Sequence, residues 1–227
     1  MDEYTPRRAT VFLVSLVIMN IGVVLSAKAG GDLVTTPISS IPLVVSLGCD
    51  IFTIGTATMV MNVAFILLGI FIMRRDYKAK YVLEFFLIAI SAILCDLMMI
   101  CFDFVSADEY WLQWVLTIIS MVVMAFGIAL EVAANFSMLP GDHLVEFISV
   151  KTGMVFGNVK VLFDISMIVT SVILSFLFFG VGEFNGVREG TLFIALTVGF
   201  FVKLFTRLLN KRFYDWVGHR DTEITKD

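Results

Sequence analysis

AGGDLVTTP, at residues 29–37, interrupts a long apolar sequence, and NFSMLPGD interrupts it again at residues 135–142. The same order of features surrounds each break: a glycine-bearing apolar span, the break with its proline, a short amphipathic stretch and a second apolar span. The first copy runs from about Ile21 to Phe71 and the second from about Phe126 to Phe178. Each unit then adds one more span. Because an odd number of crossings turns the second unit upside down, this order predicts an inverted repeat, a construction found in many secondary transporters.

The composition is that of a membrane protein. Hydrophobic side chains make up 59% of the 227 residues and charged side chains only 16%, so a soluble fold of this size could not bury its apolar surface. A helix needs about 20 apolar residues to cross roughly 30 Å of hydrocarbon. Six runs meet this requirement: Thr10–Lys28, Phe52–Met73, Tyr81–Phe102, Trp111–Ala134, Val159–Phe179 and Thr191–Leu209.

Continuous apolar runs of this length favour α-helices over the short alternating strands of a membrane barrel. We therefore expect an all-α polytopic membrane protein with six transmembrane helices in two inverted three-helix repeats, residues 1–104 and 105–213, and a frayed polar cytoplasmic tail at 214–227. The first run is too long for a typical signal peptide and is expected to be retained. Lys and Arg cluster in alternate loops, so the positive-inside rule predicts that both termini are cytoplasmic.

Each break is followed by a helix too short to cross the membrane. Thr36 before Pro37 is a typical helix start, because threonine caps free amide groups and proline suits the first helical position. Asp142 is the expected cap in the second copy. Each short helix is either an interfacial amphipathic helix or a broken, re-entrant element whose positive end faces a shared cavity. The paired helix starts favour an anionic or zwitterionic ligand, although Asp142 would repel an anion if it pointed inward.

Several charged residues lie inside the predicted spans, where each costs about 2.5–3.5 kcal/mol unless it is paired or turned inward. Lys160 and Asp164 are four residues apart and can neutralise each other on one helix face. Asp96 has no cation at helical spacing, so it is either protonated or paired with Lys203 or Lys160 from another helix. Glu131 lies toward the cytoplasmic end of the fourth span.

Two asparagines, Asn20 and Asn62, lie near the centres of the first two spans. Either one could simply join helices, since such hydrogen bonds contribute roughly 1 kcal/mol in model systems. Asn62 and Asp164 occupy equivalent positions of the two repeats, which favours a polar site near the midplane. The predicted substrate-binding residues are Asn20, Thr36, Asn62, Asp96, Asp142, Lys160, Asp164 and Lys203.

Three short features carry a family resemblance: the stretch from Gly190-Thr191-Leu192 through Gly199 to Lys203, the Pro140-Gly141-Asp142 break, and the spacing of Gly157 and Asp164. Over most of the six-span region the chain resembles the YczE/YitT-like family of bacterial integral membrane proteins. The resemblance implies a bacterial inner-membrane protein of this topology. It implies no substrate and no functional residue.

These features favour a small transporter or permease that moves an organic solute by alternating access, with or without a coupled proton or ion. One alternative is a substrate-binding membrane subunit of an ATP-driven importer, and another is a structural or regulatory membrane protein. The expected partners are the lipid bilayer and the solute, together with a second copy of the chain or an ATPase. No HExxH, GxSxG or Walker motif occurs, and the two histidines and three cysteines lack metal-site spacing, so we expect no enzyme, metal site, cofactor or nucleic-acid partner.

Overall fold

The computed structural model describes residues 5–29, 36–52, 54–73, 83–107, 109–180, 188–209 and 211–218. These residues contain nine α-helices and no strand. In chain order they are α1 (Thr5–Lys28), α2 (Pro37–Gly48), α3 (Ile54–Met73), α4 (Leu83–Cys101), α5 (Tyr110–Ala134), α6 (Pro140–Thr152), α7 (Phe156–Phe179), α8 (Glu189–Leu208) and α9 (Lys211–Val217).

The six predicted spans coincide closely with α1, α3, α4, α5, α7 and α8, which confirms the all-helical, multi-pass character. Five of these helices are long and apolar enough to cross a membrane, and the part of α4 whose side chains are described, Phe86–Cys101, is a shorter apolar helix. Large apolar side chains project outward along them. Ile93 is 68% exposed and Leu177 is 75% exposed. Lipid is the solvent that suits such a surface, because water would leave it unfavourably hydrated.

Helices α1 and α5 form the central pair and run antiparallel. A Cβ atom added at Gly22 would lie 2.8 Å from the Cβ of Met124, and one added at Gly127 would lie 2.8 Å from the backbone nitrogen of Met19. Since neither glycine leaves room for a side chain, the two backbones approach closely at this crossing. Small residues at a crossing are a common device for packing helices in lipid, where no hydrophobic force drives them together.

The helix α4 lies parallel to α1. Near the middle of both helices the Asn20 amide donates a hydrogen bond of 3.1 Å to the Ser91 hydroxyl. At the end of both helices Lys28 forms an ion pair of 2.9 Å with Asp103. This ion pair gives Lys28, at the end of the first predicted span, a carboxylate partner.

The helix α8 lies parallel to α5 and antiparallel to α7. The rings of Phe126 and Phe205 are 5.4 Å apart between α5 and α8. Between α7 and α8 the closest approach is at Gly157 and Gly199, where a Cβ on either residue would collide with the carbonyl oxygen of the other. The second predicted unit is therefore held together by direct backbone contact.

The two short helices begin against each other. Thr36 caps α2 by accepting a hydrogen bond from the Ser39 amide, with Pro37 in the first turn, which confirms the predicted helix start. At the start of α6, a Cβ on Gly141 would lie 3.1 Å from Cδ1 of Ile38 in α2. Both short helices pack against α3 and α7. The N-terminal ends of α2 and α6 thus contact each other. The start of α6 is buried, whereas Ser39 in the first turn of α2 is exposed.

The C-terminal segment differs from its prediction. Residues 214–217 belong to α9 instead of a frayed tail, and Val217 is fully buried. Arg8 of α1 donates hydrogen bonds to the carbonyl groups of Val217 and Gly218, which ties the two ends of the chain together. Burial raises the pKa of the Tyr214 phenol to about 12. The remaining tail, residues 219–227, lies outside the described residues.

Candidate functional site

Three charged side chains from two helices meet inside the protein. The Lys160 ammonium lies 2.9 Å from Oδ1 of Asp142 and 3.1 Å from Oδ1 of Asp164. Asp142 is 3% exposed, Lys160 4% and Asp164 1%. The predicted pairing of Lys160 with Asp164 one turn apart is confirmed. The new element is Asp142, which reaches the same ammonium from the start of α6. We call Asp142, Lys160 and Asp164 the buried triad.

The predicted role of Asp142 as the cap of α6 is wrong. The capping position is Leu139, whose own side chain makes no cap hydrogen bond. Pro140 follows at the first helical position, where its missing amide proton costs nothing, and Asp142 falls in the first turn. A carboxylate in this turn is stabilised by the positive end of the helix dipole. Its side chain is therefore free to bind Lys160 while still benefiting from the helix.

Glu131 adds a third carboxyl group at the same helix start. It lies in the last turn of α5 and is completely buried. Its Oε1 accepts a hydrogen bond of 2.9 Å from the Leu139 amide, across the break between α5 and α6. Asn135 makes this tight reversal possible, because its left-handed conformation at φ 45° is one that asparagine adopts more readily than most residues. The other oxygen of Glu131, Oε2, has no hydrogen-bond partner among the described residues.

The charges of this region do not balance. The carboxyl groups of Glu131, Asp142 and Asp164 face one buried ammonium, that of Lys160. The charges of Asp142 and Lys160 act directly on Glu131. If all three acids were ionised, the cluster would carry two uncompensated negative charges, which a low-dielectric interior does not tolerate. The geometry therefore favours the uptake of protons or of a positively charged group.

A histidine borders the triad on α6. His143 is 3% exposed, and its Nε2 lies 3.4 Å from Oε2 of Glu146. Its ring also contacts that of Phe147, with centroids 4.1 Å apart. Within the described ranges, no group of three or more His, Cys, Asp or Glu side chains is arranged to hold a metal ion.

Three predicted site residues have local partners outside the triad. Asn20 donates to the Leu16 carbonyl and pairs with Ser91, so it joins α1 to α4. Thr36 serves as the cap of α2. Asn62 donates to the Thr58 carbonyl, one turn earlier in its own helix. Each of these contacts accounts for its polar residue without a ligand.

The predicted partnership of Asp96 with Lys203 or Lys160 is wrong. Asp96 is exposed on α4, and Lys160 already binds the two triad carboxylates. Lys203 lies beside Gly157 near the beginning of α7, and it makes no ion pair with any residue that the structure describes. The helix α4 turns its Asp96 face outward, and Lys203 lies in the last third of α8. Of the eight predicted residues, the structure brings together three.

The sequence-based site omitted Glu131, although one signal pointed to it. A carboxylate in the last turn of a helix faces the negative end of that helix's dipole, so Glu131 is unfavourably placed within α5 alone. A carboxylate just before a break is stabilised when it contacts the positive N-terminal end of the next helix instead. The hydrogen bond to Leu139 is that contact.

Comparisons with known proteins bear on the family and not on the chemistry. No curated protein and no solved structure matches the chain. One family model matches residues 6–207, from the first turn of α1 to the last turn of α8, and this range includes the buried triad. The protein therefore belongs to a family of unknown function, DUF6198.

Proposed function

We propose that this protein is a small membrane transporter that moves a positively charged or zwitterionic amine by alternating access between two inverted three-helix units. The observation that carries the proposal is the buried triad, in which Asp142 and Asp164 share the Lys160 ammonium at the meeting point of a short helix and a long one. Charged groups inside a membrane protein are costly, and they commonly mark ion or substrate pathways.

The contacts of α1 and α5 support an inverted repeat. Gly22 and Gly127 are equivalent in the predicted repeats, and Met19 and Met124 each lie three residues before their glycine. Gly22 packs on Met124, and Gly127 packs on Met19. A rotation that places each unit on the other would therefore place the contact of Gly22 with Met124 on the contact of Gly127 with Met19. This is the pattern expected when a pseudo-twofold axis passes through the crossing.

Three further pairs of helix contacts support the same relation. The equivalent helices are α1 and α5, α2 and α6, α3 and α7, and α4 and α8. The contacts of α1 with α4, α2 with α7, and α2 with α3 have the counterparts α5 with α8, α6 with α3, and α6 with α7. The close pair formed by α7 and α8 at Gly157 and Gly199 has no equally extensive counterpart between α3 and α4. The two units are thus similar in arrangement. They differ in how tightly the last long helix, α4 or α8, is held within its unit.

The meeting of α2 and α6 supports the re-entrant alternative over the interfacial one. Ile38 and Gly141, which touch, each directly follow the proline of their own break. With 12 and 13 residues, the two helices are about 18 and 20 Å long at a rise of ~1.5 Å per residue. Neither crosses the membrane alone, but end to end they reach about 38 Å, which is enough to cover roughly 30 Å of hydrocarbon. In transporters, broken helices of this kind surround the substrate site.

The charge of the site selects the substrate class. The positive start of α6 is already occupied by Glu131 and Asp142, so it offers no free place for an anion. Three carboxyl groups against one ammonium favour a cationic or zwitterionic amine. An amine could displace Lys160 from one of its two carboxylates without leaving either charge unpaired.

The proposal also includes the orientation in the membrane and a family resemblance. Both termini lie in the cytoplasm, as the distribution of Lys and Arg among the loops favours. The proximity of Arg8 to Val217 and Gly218 supports a shared side for the two ends of the chain. The resemblance to YczE/YitT-like proteins is part of the same proposal and agrees with a bacterial inner-membrane location.

The test is a binding screen followed by uptake into vesicles. Purified protein would be tested by thermal shift against organic cations, zwitterionic amino acids and carboxylates, and the best ligand would then be used radiolabelled in proteoliposomes. We expect amines to stabilise the protein and carboxylates not to do so. Asp164→Asn should lower both binding and uptake at least tenfold, because it removes one of the two carboxylates that hold Lys160.

The matched control is Asp96→Asn, the same substitution on an exposed residue outside the triad. It should leave binding and uptake unchanged. Equal activity of both variants and the unaltered protein would contradict the proposed site. Amine binding without uptake, together with a copurifying ATPase, would instead favour the substrate-binding subunit of an importer.

A further inference from the structure

We propose that Glu131 and Asp142 form a proton-binding site at the start of α6, with the proton held on Oε2 of Glu131. The coupling of this proton to solute movement rests on the proposed transport function, but the site itself does not. Glu131 lies outside the triad, and the binding of Lys160 by Asp142 and Asp164 leaves it without a cation of its own.

The geometry leaves one atom of Glu131 for a proton. Oε1 is fixed by the Leu139 amide at 2.9 Å, which sets the position of the carboxyl group. Oε2 is buried and has no hydrogen-bond partner in the described part of the chain. A buried carboxylate oxygen without a donor is strongly disfavoured, whereas a protonated carboxyl group carries no charge and has a proton to donate.

The surroundings favour a proton over a metal ion. The charged groups that act on Glu131 are Asp142 and Glu146 from α6 and Lys160 from α7. The other described helices packed on α5 are α1, α8 and α9. Arg8 of α1 donates to the carbonyl groups of Val217 and Gly218 at the end of α9, and Lys203 of α8 lies beside Gly157. No metal-holding group of His, Cys, Asp or Glu occurs among the described residues. Asp142 and Asp164 therefore share the one ammonium, and a proton neutralises the third acid, Glu131. The cluster then carries one uncompensated negative charge instead of two.

The same position connects the proton to the triad. Glu131 binds Leu139, which caps the helix that carries Asp142 three residues later. When the proton leaves, the new negative charge repels Asp142 and attracts Lys160. Lys160 is then drawn from Asp164, which becomes available to a cationic amine. Proton release and amine binding are thereby linked through one shared ammonium.

The experiment is infrared difference spectroscopy of the purified protein in lipid nanodiscs, recorded between acidic and alkaline pH. A protonated, buried carboxyl group gives a C=O stretching band that disappears when the proton is lost. We expect this band in the unaltered protein and in the control Asp96→Asn, and its loss in Glu131→Gln. The glutamine retains an oxygen that can accept from Leu139, so the break should remain intact.

A second measurement does not depend on folding of the variant. Labelling the glutamate carboxyl groups of the unaltered protein with ¹³C should shift the band to lower frequency, which distinguishes Glu131 from the aspartates. A band that persists in Glu131→Gln, or that fails to shift with the label, overturns the proton site even if amine uptake is real. Loss of the band in Glu131→Gln, in a protein that takes up no amine, leaves the proton site standing and removes only the transport function.

Discussion

Replacing Lys160 with methionine tests the buried triad most sharply. Methionine has nearly the length of the lysine stem and no charge, so the packing changes little while the only ammonium of the triad is lost. Asp142 and Asp164, 3% and 1% exposed, are then left facing each other without compensation. Breaking a buried ion pair by removing one partner costs about 3–5 kcal/mol. Lys160→Met should therefore lower the free energy of unfolding by that amount.

This cost is large enough to measure by thermal unfolding in detergent or nanodiscs. For a chain of this size, each kcal/mol lost from the free energy of unfolding lowers Tm by roughly 2–4 °C. A fall in Tm of about 6–20 °C is therefore expected. Adding Asp142→Asn and Asp164→Asn to Lys160→Met should restore most of the lost Tm, because the two asparagines leave no unpaired charge. The matched control is Lys203→Met, which removes a lysine that has no ion pair among the described residues. A Tm of Lys160→Met within about 2 °C of the unaltered protein, or a triple variant less stable than the single one, would refute this reasoning.

Two further substitutions test the helix contacts. Gly22→Ala and Gly127→Ala each place a methyl group 2.8 Å from an atom of the facing helix, so each should cost about 1–3 kcal/mol in thermal unfolding, and a large difference between them would speak against an equivalent crossing. Thr36→Ala removes the cap of α2 and should cost about 1 kcal/mol, whereas Thr36→Ser retains the hydroxyl and should have little effect; equal losses in both variants would mean that the cap contributes nothing.

The long helices and one helix cap followed directly from the sequence. Apolar runs of about 20 residues leave few structural choices in lipid, which is why the predicted spans agree with α1, α3, α5, α7 and α8. Thr36 and Pro37 predicted the start of α2, because each of these residue types has a local preference for its position there. The pairing of Lys160 with Asp164 followed from helical spacing alone. All of these are local properties, decided within one or two turns.

The rest of the site depended on tertiary packing. Asp142 reaches Lys160 only because α6 folds back against α7, and no spacing rule connects residues of two helices. Glu131 acts across the break to Leu139. The outward direction of Asp96 was unpredictable for a physical reason: α4 is apolar nearly all round, so its sequence does not reveal which face turns inward.

The central claim is that the two units are inverted, so that α2 opens to one side of the membrane and α6 to the other. Single cysteines at Ile51 and Val150, which are 87% and 65% exposed near the ends of these helices, would report on it in a chain whose Cys49, Cys95 and Cys101 have been replaced by serine. We predict that a membrane-impermeant thiol reagent labels Ile51→Cys only from outside the cell and Val150→Cys only from the cytoplasmic side. Labelling of both cysteines from the same side would contradict the inverted arrangement.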